Sequence, residues 1–87
     1  MNKEQKAATI KDFARSETDV GSVEVQVALM TGRVNELTGH MKVHPKDHSS
    51  RRGMMALVTQ RRKLLDYLST EDHKRYLELV HRLNLRH

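Results

Sequence analysis

The chain has 87 residues, a formal net charge of +5, no cysteine, one proline and three aromatic residues (Phe13, Tyr67 and Tyr76). These features exclude disulfides and thiolate-held zinc. The longest apolar run, Met54 to Val58, is far short of the ~20 residues that span a bilayer, and the opening MNKEQKAATIKDF has no apolar stretch of the kind a signal peptide needs. One domain over residues 1–87 is expected, burying about 60–65% of its unfolded surface, and a composition resting on Leu, Val, Met and Ala favours helices over a sheet. Cysteine-free composition fits a cytoplasmic setting.

The first predicted helix is short, with Asn2 and Gln5 as candidate caps and Ile10, Phe13 and Ala14 as its apolar strip. A polar loop over 15–20 follows. Ser22 is a candidate N-cap for the second helix, with Glu24 in the first turn, where an acid suits the helix dipole. Val27, Met30, Val34, Leu37 and Met41 recur in steps of three and four and form a helical seam. Residues 24–27 alternate and would also suit a strand, but the seam beyond them favours helix. Pro45 disfavours helical geometry at His44, so this helix should end near 41–43.

The third helix should start at Asp47, Ser49 or Ser50, and its buried face should carry Met54, Leu57, Val58, Leu64, Leu65 and Leu68. Arg61 continues that stripe, which suggests a snorkelling side chain at the edge of the core. Residues 69–72 read as a stop and a new cap, with Ser69 and Asp72 spaced like a capping box. The last helix carries Tyr76, Leu77, Val80 and Leu83. The expected fold is all-α: four helices, with an antiparallel three-helix bundle and a more mobile N-terminal helix, because two long helices joined by a short turn must run antiparallel.

Charge is concentrated in one place. Residues 40–63 hold seven basic side chains (Lys42, Lys46, Arg51, Arg52, Arg61, Arg62 and Lys63) and one acid, Asp47, so this window is +6 and the remainder of the chain −1. Solvated charge on a helix face is the usual reason for such runs. Here the basic pairs and a His-rich corner share one hairpin over roughly 15–20 Å at about 1.5 Å per residue, which suits a polyanion such as a nucleic-acid backbone. The corner holds His40, His44, Asp47, His48, Ser49 and Ser50. A metal set is disfavoured, because Pro45 interrupts the histidine spacing and Asp47 is the only other ligand. Two readings stay open: polar turn residues with Asp47 and Ser50 as caps, or a hydrogen-bonding edge that reads 2′-hydroxyls and base edges in an RNA minor groove. Asp47 in a phosphate-binding patch needs a donor, either a guanine amino group or a neighbouring Arg. No oxyanion-hole motif or glycine-rich phosphate loop accompanies the Ser and His residues, so neither an enzyme nor a cofactor is expected. Gly32 and Gly53 in predicted helices suit either close backbone approach or plain tolerance. Tyr67 suits stacking on a base or core packing equally well; Tyr76 reads as core.

Several of these segments carry a resemblance. Asp19-Val20-Gly21-Ser22 with Glu24-Val25-Gln26-Val27-Ala28 resembles the D-T-G-S-x-E-V-Q-x-A opening of the bacterial-type S-fifteen family of small-subunit ribosomal proteins. His40, Lys46-Asp47-His48 and Ser50-Arg51-Arg52-Gly53 resemble its H-x(5)-K-D-H-x-S-R-R-G signature, and residues 61–68 (RRKLLDYL) resemble its R-R-x-L-L-x-Y-L helix. Arg75-Tyr76 and Leu83-Asn84-Leu85-Arg86 resemble its ending, so the likeness covers about residues 10–87. It implies a structural protein that binds small-subunit ribosomal RNA at a three-way helical junction early in subunit assembly, as a monomer when free and without a membrane. Neighbouring ribosomal proteins and the large subunit, at the subunit interface, are further candidate partners. By the family pattern His40, Asp47 and Ser50 would read a G·U/G·C step in a minor groove, and Gly21, Gln26 and Tyr67 would face the junction. Arg51, Arg52, Arg62 and Lys63 would hold phosphates, an assignment resting more on the basic patch. The departures are Val20 for Thr, Val23 for Pro, Ser49 for His, Asn84 for Gly (a candidate left-handed cap) and Pro45. A helical DNA-binding module and a protein-interaction bundle with a solvated basic face are the alternatives.

Overall fold

The computed structural model describes residues 3–16 and 21–85. The expectations placed on Asn2, Asp19, Val20, Arg86 and the loop centre at 17–20 lie outside the described residues. Four helices follow in order: α1 (Lys3–Phe13), α2 (Val23–Val43), α3 (His48–Glu71) and α4 (His73–Leu83). The all-α expectation holds, and the strand alternative at 24–27 does not, because these residues begin α2.

Each boundary has a chemical cause. Ser22, in extended conformation, caps α2 by accepting from the Val25 backbone N–H at 3.4 Å. The helix ends at Val43, with Pro45 two residues on. Of the three cap candidates for α3, Asp47 takes the role; Ser49 and Ser50 lie inside the helix. Gln5 is the third residue of α1.

The break between α3 and α4 is tighter than the sequence suggests. Ser69 and Thr70 remain helical, and the single residue Asp72 both ends α3 and caps α4, accepting from the Arg75 N–H at 3.2 Å. No capping box forms there, since Ser69 instead pairs its hydroxyl with the His73 ring at 3.2 Å. At the far end of α4, Asn84 takes the left-handed conformation (φ 53°), and the Leu85 N–H reaches back to the Val80 carbonyl at 3.0 Å. Asn tolerates this backbone better than most residues and so serves where Gly is common.

The core is formed by Val27 of α2, Leu65 and Leu68 of α3, and Tyr76, Leu79 and Val80 of α4, with Phe13, Leu64, Leu83 and Leu85 packed at its edge. Leu79, not Leu77, completes the α4 face: residues 76, 79, 80 and 83 follow the i, i+3, i+4, i+7 pattern, whereas Leu77 lies about a quarter turn outside it and is 47% exposed. On α2 the buried stripe is wider than the seam, taking in Val25, Ala28 and Thr31. Arg61 snorkels as expected: it is half-buried and donates to the buried Thr31 hydroxyl at 3.3 Å.

Helix α2 packs against each of the other three, and α3 also packs against α4. None of the residues of α1 is buried. Its C-terminal end is held from α4, where Arg82 donates to the Asp12 carbonyl at 3.1 Å and lies 4.1 Å from the Phe13 ring centroid.

Candidate nucleic-acid interface

The α2–α3 turn brings His40, Asp47 and Ser50 into direct contact. Asp47, as N-cap, uses Oδ1 to accept from the Ser50 N–H at 3.0 Å. Its Oδ2 accepts both the Ser50 hydroxyl at 2.7 Å and His40 Nε2 at 2.8 Å. The donors that Asp47 requires are therefore inside the chain, and a neighbouring Arg is not one of them. The Ser50 backbone N–H, the Ser50 hydroxyl and His40 hold the Asp47 carboxyl well below the usual carboxylate range. The cluster stays open to solvent, with the His40 and Asp47 side chains 40% and 33% exposed. Asp47 is thus a cap, as one reading has it, whereas Ser50 is not, and the cap gathers His40 and Ser50 into one polar edge.

The connectivity decides what this edge can do. In a catalytic triad the imidazole lies between hydroxyl and carboxylate. Here the hydroxyl and the imidazole converge on the same carboxylate oxygen, so no imidazole is placed to deprotonate Ser50, and the depressed Asp47 carboxylate is too weak a base to do so. An ionised carboxylate only accepts, so His40 Nε2 carries the proton and a neutral His40 leaves Nδ1 as an acceptor. The Ser50 hydroxyl donates its hydrogen bond to Asp47 and keeps its lone pairs as acceptors. The corner therefore presents acceptors to the outside. In the shallow minor groove of an RNA helix, the matching donors are 2′-hydroxyls and the guanine amino group.

Around the corner, the His44 ring lies 4.7 Å from that of His40, tilted by 37°. Arg51 donates to the Pro45 carbonyl at 3.1 Å and so braces the turn. Among the described residues no group of three or more His, Cys, Asp or Glu side chains is gathered to hold a metal ion, and no helix is long and apolar enough to cross a membrane.

A second pair forms at the start of α2, where the Gln26 side-chain amide donates to the Gly21 carbonyl at 2.7 Å. Tyr67 is not core: it is 56% exposed, leaving its ring free to stack. The helices are registered by two cross-contacts, Thr38 to Met54 and Arg61 to Thr31. Seven residues back along α2 match seven forward along α3, and continuing that register brings Gln26 level with the segment around Tyr67. Arg52, Arg62 and Lys63 are all exposed. They do not share one face, because Arg62 lines a separate cavity with Val58, Asp66, Tyr76 and Leu85 on the α4 side. A Cβ at Gly53 would meet nothing within 4 Å, so close packing inside the protein does not explain that glycine.

Sequence reasoning did not find two features. One is the ion pair between Glu24 and Arg75, which joins α2 to α4. The other is an open groove of about 760 Å³ whose lining includes Gln26, Arg33, His40, Ser50 and Gln60. The seven-residue spacing of 26, 33 and 40 was the available signal for the groove.

The family model described as Ribosomal protein S15 matches residues 5–86. A protein from Tolumonas auensis named small ribosomal subunit protein uS15 is 54% identical over 86 residues, covering 99% of this chain and 97% of the relative. Proteins of the same name from Acinetobacter baylyi and Acinetobacter baumannii are 58% and 57% identical over 81 residues, in each case covering 93% of this chain and 91% of the relative.

Proposed function

The chain belongs to the ribosomal protein S15 family, and on that premise we propose that it is a structural, non-enzymatic component of the small ribosomal subunit in the cytoplasm, acting as one RNA-binding domain. It binds small-subunit ribosomal RNA at a three-way helical junction and the adjoining minor groove, early in assembly. The observation that carries this reading is the meeting of His40, Asp47 and Ser50 in one hydrogen-bonded acceptor edge at a basic corner.

The work divides between two kinds of contact. Arg51, Arg52, Arg62 and Lys63 supply sequence-blind attraction to phosphates and release counterions. Arg62, turned toward α4, serves a different RNA segment from the corner. His40 and Ser50 offer acceptors to a G·U/G·C step, and Asp47 fixes their orientation. Gly21, Gln26 and the exposed Tyr67 ring face the junction. The Gln26–Gly21 bond fixes the entry to α2, so its backbone there approaches the RNA in one conformation.

Binding to a junction RNA as a function of salt tests this division. With five or six phosphates neutralised, the log–log slope is about −3.5 to −5, and duplex DNA of equal length competes poorly because it lacks the 2′-hydroxyl. A slope near zero, or equal competition by DNA, contradicts the reading. Equal competition would favour a DNA-binding module, and salt-insensitive, nuclease-resistant binding a protein partner.

A further inference from the structure

A second cavity, of about 460 Å³, shares no lining residue with the groove that runs from Gln26 to His40. On α3 the groove takes residues 50, 57 and 60, whereas the cavity takes 58, 61, 62, 65 and 66. At about 3.6 residues per turn, that places the cavity roughly a third of a turn further round the helix. Its walls are largely apolar: Val58 and Leu65 of α3, the buried Tyr76 ring of α4, and Leu85. The Tyr76 ring is stacked with that of His73 at 5.6 Å. Leu85 is brought to the cavity by the left-handed turn at Asn84 and by its own N–H bond to the Val80 carbonyl. Two opposite charges, Arg62 and Asp66, also line the space. They stand four residues apart on one helix, where opposite charges are neighbours and commonly pair. Here neither side chain has a hydrogen bond or ion pair among the described residues, not even with the other. Arg61, the remaining cation of the lining, is committed to the Thr31 hydroxyl. The cavity thus sets a fork of donors beside a pair of acceptors, next to apolar and aromatic walls.

We propose that this cavity is a binding site for a guanine base. Guanine carries donors at N1 and N2 on one edge of a flat ring and acceptors at O6 and N7 on the next. The ionised Asp66 carboxylate only accepts, so it takes the donor edge. The Arg62 guanidinium takes O6 and N7 with two parallel N–H bonds. The apolar walls cover the ring faces, as in pockets that hold a base outside a duplex, and the volume lies within the ~300–1,000 Å³ of small-molecule sites. Adenine fails at both edges, because its N1 acceptor meets the carboxylate and its N6 amino group meets the guanidinium. A guanidinium has five N–H donors, so two on the base leave others for a phosphate, and Arg62 keeps the phosphate role given to it above. The base comes from a free nucleotide or from a guanine extruded from an RNA helix; the chemistry recognised is the same. This site is separate from the His40–Asp47–Ser50 corner and stands whether or not the chain selects the junction.

The test titrates the full chain with 5′-GMP, 5′-IMP and 5′-AMP, three nucleotides of equal phosphate charge, and follows the backbone amides by NMR. GMP should shift the amides around the cavity, those of Val58, Asp66, Tyr76 and Leu85 among them, and bind about tenfold more tightly than AMP. IMP keeps N1–H, O6 and N7 but lacks the N2 amine, so it should fall between them. Asp66→Asn should weaken GMP about tenfold and erase the preference over AMP, although removing a negative charge beside an anionic nucleotide predicts tighter binding from electrostatics alone. Asp66→Glu, which keeps the carboxylate, should keep part of the preference. Because Asp66 is exposed and its side chain unengaged, both variants should hold the wild-type thermal midpoint. A hairpin RNA with one bulged guanine, compared with the same hairpin bulging adenine, separates the two sources. A preference for the guanine bulge that is lost in Asp66→Asn assigns the site to an RNA base, and GMP selectivity without that preference assigns it to a free nucleotide. Discrimination in neither arm, GMP shifts confined to the basic corner, or a GMP preference untouched by Asp66→Asn overturns the proposal.

Discussion

Arg75 and Glu24 lie 51 residues apart in sequence and meet in a two-pronged ion pair, Nε to Oε2 at 2.7 Å and Nη2 to Oε1 at 2.5 Å. The contact joins the first turn of α2 to the first turn of α4, beside the Gly21–Gln26 entry to the candidate junction surface. The Glu24 side chain is only 13% exposed and that of Arg75 26%, so the pair is better shielded than an ordinary surface bridge.

Removing one charge of this pair should be felt. Burial alone would raise the Glu24 pKa; hydrogen bonds from Arg75 and the backbone, with the charges of Arg75 and Arg15, outweigh it and leave the value below the ordinary 4.5. A depressed carboxylate contributes stability above its unfolded pKa, and that contribution is lost as pH falls through the folded value. Glu24→Gln is therefore expected to destabilise the fold by about 1–3 kcal/mol at pH 7. Urea unfolding at pH 7 and pH 3 checks the sign: the gap between wild type and variant should narrow at the lower pH. A gap that is constant or wider in acid would show that Glu24 acts through packing instead.

Leucines two positions apart on α4 should behave differently. Leu79 is 2% exposed within the core, whereas Leu77 is nearly half exposed. Leu79→Ala should cost about 2–5 kcal/mol through lost burial and a cavity, and Leu77→Ala under ~1 kcal/mol. Chemical denaturation of the two variants side by side measures this, and comparable losses would place the α4 face wrongly.

At the corner, Asp47→Ala removes a negative charge from a basic region, so electrostatics alone predicts tighter RNA binding. The hydrogen bonds to His40 and Ser50 predict the reverse for the matched RNA. Affinity for an RNA carrying the G·U/G·C step should fall on the order of tenfold, with little change for one in which the step is replaced by A·U pairs. Filter binding with the two RNAs decides, and uniformly tighter binding by the variant would remove the orienting role.

Arg62→Ala should act without regard to sequence. Specific and nonspecific RNAs should both bind more weakly, with a salt slope shallower by about one unit. A loss confined to one class of RNA would mean that Arg62 is not a phosphate contact.

How much of this was legible from the residues follows the range of the interactions involved. Ser22, Asp47 and Asn84 act on backbone within five positions, and each was identified as a cap or cap candidate from sequence. Local signals also misled where packing overrode them. Ser69 has the character of a stop residue, yet α3 continues to Glu71, three residues beyond the buried Leu68. The corner motif was visible, but its internal wiring was not, because three donors from two residues meeting on one carboxylate depend on how the turn closes. Glu24–Arg75 has no sequence periodicity to announce it and required the fold.

The central claim, that this chain selects a junction and its neighbouring minor groove, is tested most directly by a hydroxyl-radical footprint on protein-free small-subunit ribosomal RNA at physiological salt. The account predicts protection at one three-way junction and at an adjoining G·U/G·C minor groove, with the minor-groove protection lost in Asp47→Ala. Protection spread evenly over helices, or none at all while the chain is folded, would contradict it.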